Sequence, residues 1–591
     1  MKNLSNFNLL IIILLFSSCR QQPFTGTVHI IPYPNQIAIG TQYRPIGKNL
    51  SIYLSPESGM DKDYIEDLLS DTGVKCKFTN FKWIADLTFD IEPDTIGLEG
   101  YRLVSNDYGT KITASDTKGL FYGLQTFRQL ITSQNNTLVI PFVEIADSPK
   151  FLWRALMLDE GRYFKGKEEV KKLLDEMARL KMNTFHWHLT DDQGWRIEIK
   201  KYPLLTEKGA WRTFNSHDRS CMKSAKSEDN PDFLIPENKL RIVEGDTLYG
   251  GYYTQEDIKE VIEYAKVRGI DIIPEIDMPG HMLAAVSNYS GVACTDKVGW
   301  GTTFSSPVCP GKESAMEFCK NVYSELIDLF PYKYVHIGGD EVEKANWKKC
   351  PDCQKRMRDN HLKTEEELQS WFIHDMEKFF KGKEMIGWDE IIEGGLSPTA
   401  TVMWWRSWAK DAPAKTTQQG NSIIFTPNGQ FYLDYQEDKN SVRNIYNFNP
   451  AIEGLTSEQQ ALVKGVQGNI WCEWIPSRER MQYMAIAELG WSQPSQKNWN
   501  DFAQRMANQF ERLNIMGINY RIPDLEGFHR NNAFIGEGTV KVTCLDPNAE
   551  IHYTTDGSTP TLQSPKYEGP IQVKETTDFT FRTFRPNGKA G

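Results

Sequence analysis

Asp340 and Glu341 stand side by side at the end of the run His336-Ile337-Gly338-Gly339-Asp340-Glu341. Neighbouring side chains on an extended segment point in different directions. This pair therefore cannot flank a glycosidic bond as acid and nucleophile do in two-carboxylate hydrolysis, ~5 Å apart. If Glu341 is the general acid at the leaving oxygen, Asp340 could hold a substrate group that itself serves as nucleophile. The competing reading is a helix N-terminus decorated with acids. Gly338 and Gly339 would let the backbone come close to a ligand. A second constellation, His186-x-His188, puts two imidazoles on one face of an extended segment, which is also how metal-dependent barrel hydrolases begin a metal site.

The elements that must position these groups can be counted. Apolar strand-like runs recur at Leu152 to Leu158, Thr184 to Leu189, Ile270 to Ile276, Tyr334 to Ile337, Glu384 to Trp388, Thr401 to Trp405, Ser422 to Thr426 and Gly465 to Trp471. Amphipathic stretches with apolar residues at three-and-four spacing lie between them, as at Lys167 to Lys181, Thr254 to Arg268, Ser314 to Phe330 and Thr364 to Phe380. Eight such strands with intervening helices predict an α/β fold, a (β/α)8 TIM barrel, over residues 149–522. A longer insertion, roughly Gly209 to Gly251, follows the second strand and should emerge on the catalytic face. Residues 24–148 mix short strands with one helical pattern near Thr117 to Thr132 and read as a small N-terminal α/β domain. Residues 533–591 carry an alternating strand and an Asp556-Gly557 turn signal, and read as a small all-β, sandwich-like module with an open edge.

In a TIM barrel, chemistry belongs at the C-terminal ends of the strands. Here every one of the eight ends carries a candidate. They are Asp159 and Arg162; His186, His188, Asp191 and Asp192; Glu275, Asp277 and His281; Asp340 and Glu341; Trp388 and Asp389; Trp405; Tyr432 and Asp434; and Trp471 and Glu473. A lone Asp at a strand-helix junction is as often a cap, but eight ends out of eight are not explained that way. Trp404 should point oppositely to Trp405 and belong to the core.

The 591 residues are 40% hydrophobic and 25% charged, which excludes a disordered, collagen-like or polytopic membrane chain. A formal charge of −11 without long basic runs makes nucleic acid a poor partner. Sixteen tryptophans and 24 tyrosines are many for this length, and flat faces with a polar edge suit sugar rings. Lys2 followed by the apolar run Leu9 to Phe16 reads as an export signal, too short to span a bilayer. Its end, Leu15-Phe16-Ser17-Ser18-Cys19, resembles a bacterial lipoprotein signal, so residues 1–19 are expected to be processed and Cys19 lipidated, with plain secretion as the alternative. The protein is then exported, to the periplasm or the cell surface. Nine further cysteines remain, and Cys350-x-x-Cys353 has no second pair at zinc-ribbon spacing, which favours a local disulfide or two reduced thiols over a metal. Cys294 and Cys309, on the loop Asn288 to Pro310, are the expected disulfide partners.

The stretch His186-Trp187-His188-Leu189-Thr190-Asp191-Asp192-Gln193-Gly194-Trp195-Arg196 and the run ending in Asp340-Glu341 resemble those of the β-N-acetylhexosaminidases, glycoside hydrolase family 20. Pro274-Glu275-Ile276-Asp277-Met278-Pro279-Gly280-His281, Gly387-Trp388-Asp389-Glu390, Tyr432-Leu433-Asp434 and Trp471-Cys472-Glu473 match further motifs in the family's order, so the resemblance spans nearly the whole chain. It implies exo hydrolysis of a terminal N-acetylhexosamine from a glycan, with retention. The substrate's own 2-acetamido oxygen attacks the anomeric carbon and no protein nucleophile is needed.

Carried over residue by residue, Glu341 is the acid and then the base, which calls for a pKa raised by a largely dry site. Asp340 orients the acetamido group and Tyr432 holds its carbonyl oxygen. Asp191 and His281 form a relay supporting Glu341. Trp388, Trp405 and Trp471 wall the pocket, Arg162 and Glu473 bind ring hydroxyls, and Asp434 assists Tyr432. No metal and no cofactor is expected. His186 and His188 are then hydrogen-bonding groups inside the barrel, because their motif sits on the second strand and the eighth ends in Trp and Glu rather than a metal-binding Asp. A carbohydrate-binding lipoprotein with a dead barrel would have lost its acid, yet Asp340, Glu341 and Tyr432 are all present.

Overall fold

The computed structural model describes residues 23–591 apart from 94–95, 228–232, 381, 435–439, 452–453, 475–481, 516–519, 521, 530, 589 and 591. The expected leader, with Cys19, lies outside the described residues.

Eight parallel strands close into a barrel. They are β1 (Trp153–Asp159), β2 (Thr184–His188), β3 (Asp271–Glu275), β4 (Tyr334–His336), β5 (Glu384–Trp388), β6 (Thr401–Trp404), β7 (Ile423–Phe425) and β8 (Val463–Ile470). Every residue of β1 and β2 is buried, as parallel strands covered on both faces must be, and this is why they read as continuous apolar runs. The ring closes where β8 pairs with β1, Gly465 opposite Trp153. Gly465 also absorbs a register shift against β7. A Cβ there would lie 1.9 Å from the Trp153 carbonyl oxygen, so closure at this point requires glycine.

The barrel has two separate apolar populations. Outward-facing side chains pack under the helices Lys167–Arg179, Gln255–Lys266, Glu313–Leu329 and Glu365–Phe379. The second of these begins with a reciprocal capping box between Thr254 and Asp257. Inward-facing side chains form their own cluster, from Trp153 and Tyr334 up to Trp388, Trp405 and Trp471. Trp404 and Trp405 divide as the alternation requires. Trp404 packs against the outer core with its ring edge-on to Phe425, whereas Trp405 joins the inner cluster.

Ahead of the barrel, a mixed sheet runs in spatial order Gln36–Pro45, Thr137–Asp147, Tyr101–Asn106, Gly109–Ala114, Leu87–Ile91, Asn49–Leu54 and Lys75–Phe78. It docks on the barrel through a buried polar knot. Lys181 Nζ lies 3.1 Å from Asp147 Oδ2, and Trp491 Nε1 donates to the same carboxylate at 2.9 Å. The insertion after β2 folds on itself as a three-stranded antiparallel sheet, Trp211–Thr213, Asp246–Gly250 and Leu240–Val243, with the helix Ser216–Ser227. It reaches the catalytic face as expected: Cys221 Sγ donates to the Trp474 carbonyl oxygen at 3.2 Å, and the His217 ring lies 4.4 Å from that of Trp474. The last region shows two two-stranded antiparallel ribbons, Gly538–Val540 with Ile571–Val573 and Glu550–Thr554 with Thr580–Phe584.

Candidate active site

The chain turns sharply after β4, through Gly338 at φ 76° and Gly339 at φ 96°. The sequence suggested that these glycines make room for a ligand; the structure assigns the space to protein. A Cβ on Gly338 would lie 1.8 Å from Asp277 Oδ1, and one on Gly339 would lie 2.7 Å from the Ile391 side chain. The turn delivers Asp340 inward, where it is 8% exposed, and leaves the Glu341 side chain 36% exposed at the pocket mouth. Glu341 and His281 both hold φ of 50°, a left-handed conformation that costs a non-glycine residue about 1 kcal/mol or more and persists only where the surroundings impose it. Glu341 is thus less enclosed by the protein than the expectation of a dry site required.

A chain of charge runs behind the acid. Asp191 meets Arg162 Nη1 at 2.9 Å and His188 Nε2 at 3.0 Å through Oδ2, and His281 Nδ1 at 3.3 Å through Oδ1. The far nitrogen of His281 lies 3.5 Å from Glu341 Oε2 and 3.6 Å from Asp340 Oδ2. Burial works against a charge on His281, but Asp191, Asp192 and Glu341 outweigh it and hold the imidazolium well above the usual histidine range. Burial likewise opposes ionisation of Asp191, and Arg162 and His281 more than compensate, holding it well below the usual carboxylate range.

Asp340 is different. Burial raises its pKa, and the neighbouring Glu341 adds to the rise while His281 opposes it. Its Oδ1 is buried with no hydrogen-bond partner. Beside it, Asp277 is pushed well above the ordinary range by burial and by the Asp340 charge.

Aromatic rings wall the space in front of these acids. Tyr432 stacks on Trp405 at 5.8 Å and 14°, and Trp471 stands 5.8 Å from Tyr432 and 5.9 Å from Trp388. Burial, Asp340 and Glu390 all hold the Tyr432 phenol protonated. At one end Arg162 lies over the Trp471 ring at 5.1 Å and 3.6 Å from Glu473 Oε1. Burial pushes Glu473 up to about 7 against the pull of Arg162, with Asp159 and the buried Asp434 adding to the rise. Arg212, from the insertion, donates to the Arg162 carbonyl oxygen at 3.1 Å and backs this end of the pocket. The structure therefore brings the eleven residues to which the family resemblance gives roles to one face of the barrel.

The residue at the centre is one that the sequence offered as a candidate at the end of the third strand but to which it gave no role. Glu275, 0% exposed, accepts the Trp388 indole N–H at 2.8 Å and lies 3.0 Å from both His186 Nε2 and His336 Nδ1, with His188 Nδ1 closer still. Burial alone would raise its carboxyl, but His188, His336 and His186 hold it well below the usual range. His188 responds in kind: burial opposes its charge, yet Glu275 and Asp191 raise it to about 10. His186 falls to about 4 through burial and the adjacent His336. The His-x-His pair therefore lines the barrel interior around one carboxylate. Glu390 was missed. It accepts the Trp405 indole N–H at 2.9 Å, and it follows directly on Trp388 and Asp389 in a motif already noticed. The expected Cys294–Cys309 disulfide is not formed: both are free thiols and lie in a four-cysteine group with Cys350 and Cys353.

With this geometry in hand, three family descriptions match the chain: the glycosyl hydrolase family 20 catalytic domain over residues 151–494, its domain 2 over 27–148, and the chitobiase/beta-hexosaminidase C-terminal domain over 530–591. The chain belongs to glycosyl hydrolase family 20. Among its relatives, a beta-hexosaminidase of Porphyromonas gingivalis is 37% identical over 95% of this chain and 73% of its own length. One of Akkermansia muciniphila is 32% identical over 75% of this chain and 89% of its own. The solved exo beta-N-acetylglucosaminidase of Vibrio harveyi, in complex with N-acetylglucosamine, superposes with a TM-score of 0.73 at 29% identity, covering 84% of this chain and 79% of that one. The beta-N-acetylhexosaminidase of Bacteroides fragilis does so at 0.69 and 28%, covering 83% and 96%. Family 20 membership accounts for the barrel, the domain ahead of it and the β module behind it.

Proposed function

We propose that this chain is an exo-acting, retaining β-N-acetylhexosaminidase that removes terminal non-reducing β-linked N-acetylhexosamine from glycans by substrate-assisted catalysis. The observation that carries this reading is Asp340. Its Oδ1 is buried without a hydrogen-bond partner, its charge acts on the Tyr432 phenol of the aromatic wall, and the half-buried Glu341 is its neighbour in the chain. An acceptor left without a donor in a buried site is costly, and the acetamido N–H of a bound sugar would satisfy it.

In the first step the acetamido carbonyl oxygen bonds to the anomeric carbon as the glycosidic bond breaks, and Glu341 gives its proton to the leaving oxygen. Asp340 stabilises the positive charge growing on the oxazolinium nitrogen, and the Tyr432 hydroxyl donates to the attacking oxygen. Groups set before the charge develops act most strongly in the transition state. Water then attacks the same carbon, Glu341 takes its proton, and the ring reopens with overall retention. His281, held cationic by Asp191, orients Glu341 from behind. The sugar and its leaving group complete the enclosure that the protein alone does not give the acid. Arg162 and Glu473, backed by the insertion, close one end of the pocket, which supports action on a terminal residue.

A panel of aryl glycosides varied at C2 and C4 tests this. The N-acetylamino sugar should be cleaved far faster than the plain glucoside; comparable rates, or a sugar trapped covalently on an enzyme side chain, would overturn it. The basic Lys2, the apolar run and Cys19 support export and lipid anchoring. Labelled fatty acid should enter the native protein and not Cys19→Ala; equal labelling of both would remove the anchor.

A further inference from the structure

Four sulfurs outside the reaction lie together just beyond the active-site rim. Cys309 Sγ is 3.4 Å from Cys353 Sγ and 3.7 Å from Cys350 Sγ, and Cys294 Sγ is 3.8 Å from Cys353 Sγ. All four sulfurs fall within 4.8 Å of one another. Cys309, Cys350 and Cys353 are buried and Cys294 is half-buried. A disulfide needs about 2.0 Å. Four thiolates set ~2.3 Å from a central ion at the corners of a tetrahedron are separated by about 3.8 Å. The observed sulfur separations sit near the second spacing and far from the first. Cys309 is also close to two partners at once, which pairing into disulfides does not explain.

The surrounding backbone is built to hold this arrangement. Cys309 and Cys350 are each followed by proline, and Cys350 caps the helix Pro351–Asp359 that carries Cys353. The two segments are pressed together at Gly311, where a Cβ would lie 2.3 Å from the backbone of Asp352 and Cys353. Lys312 Nζ, donating to the carbonyl oxygens of Ala293 at 2.8 Å and Cys294 at 3.2 Å, places a cation beside what would be a dianionic centre.

We propose that Cys294, Cys309, Cys350 and Cys353 bind one structural Zn2+ as a closed tetrathiolate. The four thiols release their protons to solvent and each sulfur donates one electron pair to the ion, with no change of oxidation state. Soft ligands in a tetrahedral set with no open position suit zinc in a structural role. This departs from the sequence expectation for Cys350-x-x-Cys353, whose second pair is supplied by a loop more than forty residues upstream. The ion would tie the loop between Cys294 and Cys309 to the segment that follows Glu341. That loop already touches the relay. Ser305 Oγ donates to Asp192 at 2.6 Å, Val308 N to the Pro279 carbonyl oxygen at 2.9 Å, and Thr303 N to Glu343 at 3.0 Å. Zinc would therefore act as a positioning device for His281 and Glu341.

The test is the metal content of the full-length exported protein, purified without chelator or added zinc. About one zinc per chain is expected, released by titrating the sulfurs with a mercurial. The Cys350→Ser/Cys353→Ser double variant should hold background zinc and melt at lower temperature. Reconstitution with Co2+ should give the intense visible bands of a tetrahedral thiolate site, a readout independent of whether the variant folds. Zinc-free protein with these four cysteines mapped as two disulfides, or freely alkylated in the native state, would overturn the assignment, as would stoichiometric iron.

Discussion

Asp191 touches Arg162, His188 and His281 with one carboxylate, so a single side chain couples the sugar-binding end of the pocket to the acid. Asp191→Asn keeps the shape and removes the charge. It should let His281 lose its proton within the working pH range and shift the pH profile of kcat, whereas a merely structural aspartate would alter stability alone. Glu341→Gln should cost roughly 100- to 10,000-fold in kcat/KM on substrates with poor leaving groups and much less on activated aryl glycosides. Asp340→Asn should lose about 100-fold or more on both, because it acts on the acetamido group rather than the leaving oxygen. Glu473, raised to about 7, is neutral below that pH and anionic above it. A carboxylate accepts sugar hydroxyls more strongly than a carboxylic acid does, so KM should fall as pH rises through about 7, and Glu473→Gln should flatten that dependence. Stability responds with the opposite sign. Because the folded-state pKa is raised, the contribution from binding this proton is in place below the ordinary glutamate value and is lost as pH rises through about 7.

At the scale of elements, the turn from β4 into Asp340 does more than end a strand. Gly338 lets the Asp277 carboxyl group lie directly against the backbone, with Oδ1 accepting from Gly339 N at 3.2 Å. Gly338→Ala would add both a left-handed alanine and a collision with that carboxyl group. It should cost about 1–3 kcal/mol in chemical unfolding and lower kcat with it. The two glycines were visible in the sequence; the object they make room for was not, since Asp277 arrives from β3. The strands themselves were legible to within a residue or two, as at Tyr334–His336 and Glu384–Trp388. Burial on both faces writes a barrel strand as an unbroken apolar run. The small sheet within the second-strand insertion was not, because its short strands are part-exposed and carry little periodicity.

For the molecule as a whole, the domain ahead of the barrel is fastened by charge as well as by apolar packing. Lys181 and Asp147 are both fully buried, and Tyr101 and Trp491 share the same knot. Lys181→Met would leave Asp147 without its cation in the interior and should destabilise the protein by about 3–5 kcal/mol. Since the knot lies at the end of the barrel away from the acids, kcat at low temperature should be unchanged; unfolding curves and initial rates on the same preparation separate the two effects.

The sequence alone determined the barrel, its strand ends and the adjacency of two carboxylates after the fourth strand, because each is written in local periodicity and in neighbours along the chain. That Asp340 and Glu341 cannot serve as facing acid and nucleophile follows from their being adjacent; that no protein nucleophile is needed is what the family resemblance implies. Tertiary structure decided what those residues meet: three imidazoles around Glu275, Asp277 beside Asp340, an acid left at the pocket mouth, and four cysteines drawn to one point from positions 294 to 353. Charge state and coordination depend on distances of a few ångströms between residues far apart in the chain, and only packing sets those distances.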